Sequence, residues 1–225
     1  MKQIEGNNAN ELVYNAVKEI IRSGKYNSPR GLKTLEIEHA WMTLNNPEQN
    51  IITLKSRNLN MEYLNAEMAW YLSGDLNASE IIKASKFWKN LCDTSGNVNS
   101  NYGFLALKET YNGKSQLEWC VDRLSEDKNT RQAVINYNQP RHKYPGNKDF
   151  VCTIAQSFRI NDDKLDSTTL MRSNDLIYGF SYDLPWFTHL QKTIADKLGV
   201  RTGKYNHYAA RLHVYEKHFP MLDDI

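Results

Sequence analysis

The chain has 225 residues, and its 28 Lys and Arg against 26 Asp and Glu leave a formal charge of +2. That near-balance supplies no basic field for duplex nucleic acid, so no nucleic-acid partner is expected, although a few phosphates could be held locally. With 40% hydrophobic and 11% aromatic residues and only 11 Gly and 6 Pro, the composition suits a packed core and excludes a fibrous or low-complexity chain.

The N-terminal stretch MKQIEGNNANELVYNA has no apolar signal core. No apolar run approaches the ~18 residues of a membrane helix, so neither secretion nor a membrane span is signalled. Leu12, Val13, Ala16, Val17, Ile20 and Ile21 recur at three-to-four spacing and predict a helix stopping near Gly24. A strand is predicted over 34–43, helices over 60–72 and 79–91, and a Gly/Asn/Ser-rich loop over 94–103. A helix over 115–124 precedes a strand over 133–137. Strand-like runs at 150–160 and 165–172 flank the polar turn Asn161-Asp162-Asp163-Lys164 and read as a hairpin. A helix over 184–198 and a strand over 204–215 follow. Helices and strands mix without strict βαβ alternation, which predicts one α+β domain over 1–225 with a mixed, largely antiparallel sheet packed by helices.

Three cysteines, Cys92, Cys120 and Cys152, are an odd number at wide spacing. They argue against a disulfide framework and for a reducing, cytoplasmic compartment. Cys92 and Cys120 fall in helical patterns and read as packing. Strand alternation puts Cys152 on one face with Phe150, Ile154, Phe158 and Ile160, where a free thiol is either inert core or reactive. If the turn pairs Ile160 with Leu165, counting back places Cys152 opposite Ser173 and beside Arg172. A guanidinium there would depress the thiol pKa and make it a usable nucleophile.

In the helix over 60–72, Leu64, Met68, Tyr71 and Leu72 define an apolar face, and Glu67 lies on it. A carboxyl so placed is desolvated and could relay protons near neutral pH. The same pattern also admits a boundary glutamate whose head reaches water. Arg172, Ser173 and the Asn174-Asp175 backbone suit a phosphate, or else form an Asx-capped turn with a solvent-facing arginine. His213 and Tyr215 alternate onto one strand face, suiting sugar hydroxyls or simple packing. With His218 they match no common zinc spacing, so no metal is expected.

Taken in order, these segments resemble the thymidylate synthase superfamily from about Arg30 to Phe219, and within it the phage-type deoxycytidylate 5-hydroxymethyltransferases most. EMAWYLSGD resembles the segment that holds a catalytic glutamate, here Glu67, and NSNYG the loop whose Tyr102-Gly103 pair lies by the reacting base. Trp88 is placed like a tryptophan that contacts folate. NTRQAVI resembles the segment that sends an arginine, here Arg131, across a homodimer interface to the partner's phosphate. DFVCT is similar to the nucleophile segment with Cys152, MRSND to the phosphate and base loop with Arg172, Ser173 and Asp175, and HVY to the 3′-hydroxyl clamp of His213 and Tyr215.

The departures carry information too. Thr153 follows the nucleophile and Met171 precedes Arg172, both as in the hydroxymethylases. Gln132 replaces a second arginine, and Arg30 in SPRGLKT matches the N-terminal phosphate ligand only loosely. Where the family's Gly-x-x-aromatic-Asn pattern reads uracil, Gly179-Phe180-Ser181-Tyr182 leads here to Asp183. A carboxyl group can accept from the cytosine 4-amino group and share a proton with N3, whereas an ionised one repels O4 of uracil.

The resemblance therefore implies a one-carbon transfer from 5,10-methylenetetrahydrofolate to C5 of dCMP, without a metal. Cys152 adds to C6, Asp183 acts at N3, and Tyr102 and Glu67 help remove the C5 proton. The chain stops seven residues after His218, leaving no obvious cap against water, so a hydroxymethyl product is expected over a methyl one. The alternatives are a dCMP methylase, a dUMP enzyme, a CMP enzyme, or a non-catalytic nucleotide- or RNA-binding protein. Cys152, Glu67, Tyr102 and Asp183 together speak against the last. The setting implied is the cytoplasm of a phage-infected bacterium.

Overall fold

In the computed structural model, which describes residues 1–222, the chain opens with a strand absent from the sequence reading, β1 (Lys2–Gly6). Helix α1 (Ala9–Ser23) follows. The Asn8 side chain caps it by accepting from the Glu11 N–H at 2.9 Å, and Gly24 ends it. It buries Leu12, Val13, Ala16, Val17 and Ile20. Ile21, expected on that stripe, turns one residue too far and is exposed. A short strand β2 (Lys25–Asn27) precedes the long β3 (Thr34–Leu44) and helix α2 (Met61–Ser73).

The predicted helix over 79–91 is split. Helix α3 (Ser79–Ala84) ends at the extended Ser85, whose side chain accepts from the Phe87 N–H and starts a separate 3-10 turn, Lys86–Asn90. A serine hydroxyl that competes for backbone N–H groups ends a helix in this way. Cys92 consequently lies beyond the helical turns. The loop over 94–103 leads into a π-helical segment, Phe104–Lys108, and a two-residue hairpin, β4 (Thr110–Tyr111) with β5 (Lys114–Ser115). A capping box of Ser115 and Glu118 then opens α4 (Gln116–Glu126).

Strands β6 (Val134–Asn136), β7 (Thr153–Asn161), β8 (Lys164–Met171) and β9 (Asn174–Asp175) precede helix α5 (Gly179–Leu198), strand β10 (Arg201–Tyr215) and the short α6 (Phe219–Leu222). The last three residues of the C-terminal tail, 223–225, lie outside the described residues. The sequence predicts this helix only from residue 184. The helix instead runs through Pro185 from Gly179, burying Phe180, Leu184, Trp186 and Phe187.

One mixed sheet results, in the order β1-β3-β10-β8-β7-β6, with β2 on β3 and β9 on β10. β3 with β10, and β8 with β7 and then β6, run antiparallel, while β1 with β3 and β8 with β10 are parallel. The fold is α+β, with helices packed on the sheet, as expected. No helix among the described residues is long and apolar enough to cross a membrane.

The β7–β8 hairpin turns where the sequence placed it, with Ile160 opposite Leu165. The register then slips by one residue at Ile154, since Ala155 pairs with Leu170 but Thr153 pairs with Met171. This bulge corrects two expectations. The Cys152 carbonyl accepts from the Arg172 N–H at 3.0 Å, so Cys152 faces Arg172 and not Ser173. Phe150 and Ile154, expected inside with Cys152, are exposed, while Thr153 is buried. An extra residue in one strand re-aims every side chain beyond it.

Candidate active site

Aromatic rings build the floor. Tyr71 of α2 stacks on Tyr102 with centroids 5.3 Å apart, and Tyr102 in turn meets Tyr137 and Phe187. Gly103 lies so close beneath the Tyr71 carbonyl that any Cβ there would overlap its oxygen, which explains glycine after Tyr102. The loop over 94–103 is tied to the segment before β7. The N–H and hydroxyl of Ser100 donate to Asp149 Oδ2 at 2.7 and 2.8 Å. Thr153 Oγ1 donates to the Tyr102 hydroxyl at 2.9 Å. Thr153 thus couples the residue after Cys152 to Tyr102, a link that its sequence position did not reveal.

The Cys152 sulfur accepts from Arg172 Nη2 at 3.2 Å. Arg172 is itself held by the Phe150 carbonyl at 2.6 Å and the Val151 carbonyl at 3.3 Å. The guanidinium lies beside the thiol as expected, yet the thiol pKa is raised, not depressed. Burial pushes it up most, Asp183 and Asp149 add to that, and Arg172 and Arg30 pull against it. Cys92 and Cys120 are buried free thiols with no such neighbour.

Two desolvated carboxyl groups share the site, Glu67 buried and Asp183 half-buried. Glu67 is 5% exposed on the inner face of α2, with Leu64, Trp70 and Tyr71. Leu72, expected on that face, is exposed and Trp70 takes its place, so the buried stripe is rotated. Burial raises the Glu67 carboxyl to about 8, opposed by hydrogen bonding from Tyr63 and reinforced by Asp183. Asp183, on the first turns of α5, is raised to about 7, again by burial. There the hydrogen bond from Asn174 opposes and the Asp175 charge adds. Asn174 Nδ2 donates to Asp183 Oδ2 at 2.8 Å. A Cβ on Gly179 would sit 3.0 Å from that amide nitrogen, so the bare backbone makes room for the pair.

A carboxyl group whose folded pKa is raised keeps its proton where the unfolded chain has lost it. Stability is therefore fully present below the unfolded value of 4.5 and declines as pH rises toward about 8. Glu67→Gln should lie within about 1 kcal/mol of wild type in urea-unfolding free energy near pH 5 and exceed it by about 4–5 kcal/mol at pH 9. A difference that does not grow with pH would contradict a buried, proton-holding Glu67.

The remaining candidates divide. Ser173 Oγ lies 3.4 Å from His213 Nδ1, and the His213 and Tyr215 rings meet edge-to-face at 5.1 Å, so these three gather at the β9–β10 edge. Burial lowers the His213 pKa and favours a neutral ring. Asp175 forms the Asx turn considered above, accepting from the Ile177 and Tyr178 N–H groups at 2.9 and 3.3 Å. Arg30 is exposed, with a left-handed φ of 55°, near enough to stabilise the Cys152 thiolate. Arg131 is exposed ahead of β6 and makes no hydrogen bond or ion pair among the described residues.

Trp88 is buried against Trp70 and Phe87, and its Nε1 donates to the Tyr63 hydroxyl at 2.9 Å. Sequence reasoning missed Tyr63 and Arg57, and gave Asn174 a backbone role only. Arg57 is 3% exposed, donates to the Ile177 carbonyl at 2.6 Å and lies over the Tyr178 and Tyr182 rings. Its Nη2 has no partner among the described residues. An arginine in a polar stretch gives no local sign that it will be buried. Among the described residues no cluster of three His, Cys, Asp or Glu side chains could hold a metal ion.

Comparison with known proteins points the same way as this geometry. The family model described as Thymidylate synthase matches residues 13–225. The deoxycytidylate 5-hydroxymethyltransferase of Enterobacteria phage T4 is 31% identical over 209 residues, covering 86% of this chain and 80% of that protein. The deoxyuridylate hydroxymethyltransferase of Bacillus phage SP01 is 30% identical over 226 residues, covering 96% and 59%. The thymidylate synthase of Haloferax volcanii is 24% identical over 170 residues, covering 66% and 49%.

Proposed function

Because the chain belongs to the thymidylate synthase family, a family of one-carbon transferases, we propose that its own reaction is the hydroxymethylation of dCMP at C5. The one-carbon unit comes from 5,10-methylenetetrahydrofolate. The observation that carries this reading is Asp183, a half-buried carboxyl raised to about 7 by desolvation, near enough to Cys152 to oppose its ionisation, and held by Asn174. Such a group can be neutral when empty and share its proton with cytosine N3, while its other oxygen accepts from the 4-amino group.

The Cys152 sulfur forms a bond to C6 as Asp183 protonates N3, so the electrons pushed from the C5–C6 double bond leave C5 nucleophilic. Arg172 stabilises the thiolate that burial alone would disfavour. Ser173 and Arg172 face the 5′-phosphate, with Arg30 and Asp175 flanking them. His213 and Tyr215 face the 3′-hydroxyl. Arg131, exposed ahead of β6, reaches the phosphate of a second subunit in a homodimer. The Glu67 carboxylate accepts the C5 proton through a water to which the Tyr102 hydroxyl is hydrogen-bonded, and Cys152 is expelled from C6 at the end of the cycle.

The folate supplies a methylene unit at the oxidation level of formaldehyde. The buried Nη2 of Arg57, without a partner among the described residues, fits one of its carboxylates, and the Trp88–Phe87 wall fits its apolar ring system. With water as the final nucleophile, the C5 hydrogen is replaced by CH2OH and the folate is released unoxidised. The hydroxymethyl product is favoured by the phage hydroxymethyltransferases among the relatives, and the enzyme would work in the cytoplasm of an infected bacterium.

The test is to incubate the purified protein with methylenetetrahydrofolate and dCMP, dUMP or CMP, and to weigh the nucleotide product. A gain of CH2O on dCMP alone is expected. A gain of CH2 would mean methyl transfer, a product from dUMP alone would move the enzyme to the uracil side, and no product with intact folate would sink the reading.

A further inference from the structure

Glu67 is held by a side chain that no family motif supplied. Tyr63, one turn earlier on α2, donates its hydroxyl proton to Glu67 Oε1 at 2.7 Å. The same hydroxyl oxygen accepts from Trp88 Nε1 at 2.9 Å, across 25 residues of sequence. The Tyr63 ring is fixed edge-on against Tyr182 at 4.7 Å, the residue next to Asp183.

The chemistry of the three groups removes an ambiguity that a lone tyrosine–carboxyl contact would leave. An indole N–H is a donor with no acceptor capacity, whereas a phenol hydroxyl can donate or accept. Trp88 occupies a lone pair of the Tyr63 oxygen, so the single Tyr63 proton is directed at Glu67. An oxygen that already receives that proton remains an acceptor.

We propose that the donor-only indole of Trp88 fixes the direction of the Tyr63 hydroxyl, making Tyr63 a positioning residue that keeps Glu67 Oε1 an acceptor and confines the exchangeable proton of Glu67 to Oε2. No bond to carbon is involved. One proton enters or leaves Oε2, and Tyr63 retains its own, as its burial beside Glu67 favours. The titratable groups facing Glu67 are Tyr63 and Tyr71 from its own helix and Asp183 from α5. The two tyrosines stabilise the carboxylate and Asp183 opposes it. The catalytic meaning rests on the reading of Glu67 as the proton-transfer group, but the assignment of the proton does not.

The experiment follows the Glu67 side-chain carboxyl by 13C NMR across pH in the protein without nucleotide, with Glu67→Gln identifying the resonance. Tyr63→Phe keeps the ring and deletes the donor. It should move the midpoint up from about 8 by about one unit, a tenfold loss of acidity. Trp88→Phe leaves Tyr63 in place but undirected and should move it the same way by less. An unchanged midpoint in Tyr63→Phe, or a larger shift in Trp88→Phe than in Tyr63→Phe, overturns the inference. If Tyr63→Phe fails to fold, an unchanged midpoint in Trp88→Phe does so by itself. Because no substrate enters the measurement, failure of dCMP turnover would sink the proposed reaction without touching this result.

Discussion

Cys152→Ser is expected to lower turnover of dCMP by about 10⁴-fold or more while leaving the dissociation constant for the nucleotide within about threefold. The thiol is already a reluctant acid here, because burial and the charges of Asp183 and Asp149 outweigh the help of Arg172. A serine hydroxyl in the same place starts several units higher and gains no more from the guanidinium, so the anion that attacks C6 is not formed. Binding should survive because Arg172 does not depend on sulfur for its position. Its guanidinium is tethered to the carbonyls of Phe150 and Val151. Rapid-quench assays with equilibrium dialysis of dCMP separate the two quantities. Residual turnover within tenfold of wild type would remove Cys152 from the chemistry.

Asp183→Asn should reverse the base preference, lowering kcat/KM for dCMP by about 10³-fold and making dUMP the better substrate. An amide offers a donor to O4 and an acceptor to N3–H, the complement of uracil. It has no proton to share with cytosine N3, so recognition and activation fail together. The substitution is nearly isosteric, and Asn174 can still donate to the side-chain oxygen that remains. The loss should therefore reflect base chemistry and not a displaced helix. Competition between dCMP and dUMP in one vessel gives the ratio directly. If dCMP stayed the sole substrate, Asp183 would not be the residue that reads the base.

Both expectations show how unevenly the site was written in the sequence. The ordered segments around Glu67, Tyr102, Cys152, Arg172 and His213 were legible, and the fold class with them. The pairing of Ile160 with Leu165 was also legible, because a four-residue polar turn between two strand-like runs leaves little choice of register. One bulge at Ile154 was not, and it changed the residue directly opposite Cys152 from Ser173 to Arg172, which had been expected beside it. The start of α5 was not legible either, because the helix begins five residues earlier than predicted, at Gly179, and runs through Pro185 with Phe180 and Trp186 buried. Tyr63 and Arg57 carried no motif at all, and Asn174 was legible only as backbone of the phosphate loop. Their side-chain roles exist only because Trp88 and Ile177 arrive beside Tyr63 and Arg57 from distant parts of the chain, and because the first turns of α5 bring Asp183 back to Asn174.

By itself, the sequence determined which residue types were available and in what order, and most of the strands and helices that present them. These depend on local periodicity, turn chemistry and capping, which act over a few residues. Tertiary structure decided the protonation chemistry. Glu67 and Asp183 hold protons near neutrality, and Cys152 is made less acidic despite its guanidinium, because desolvation sums over every element packed around a group. No window along the chain contains that sum.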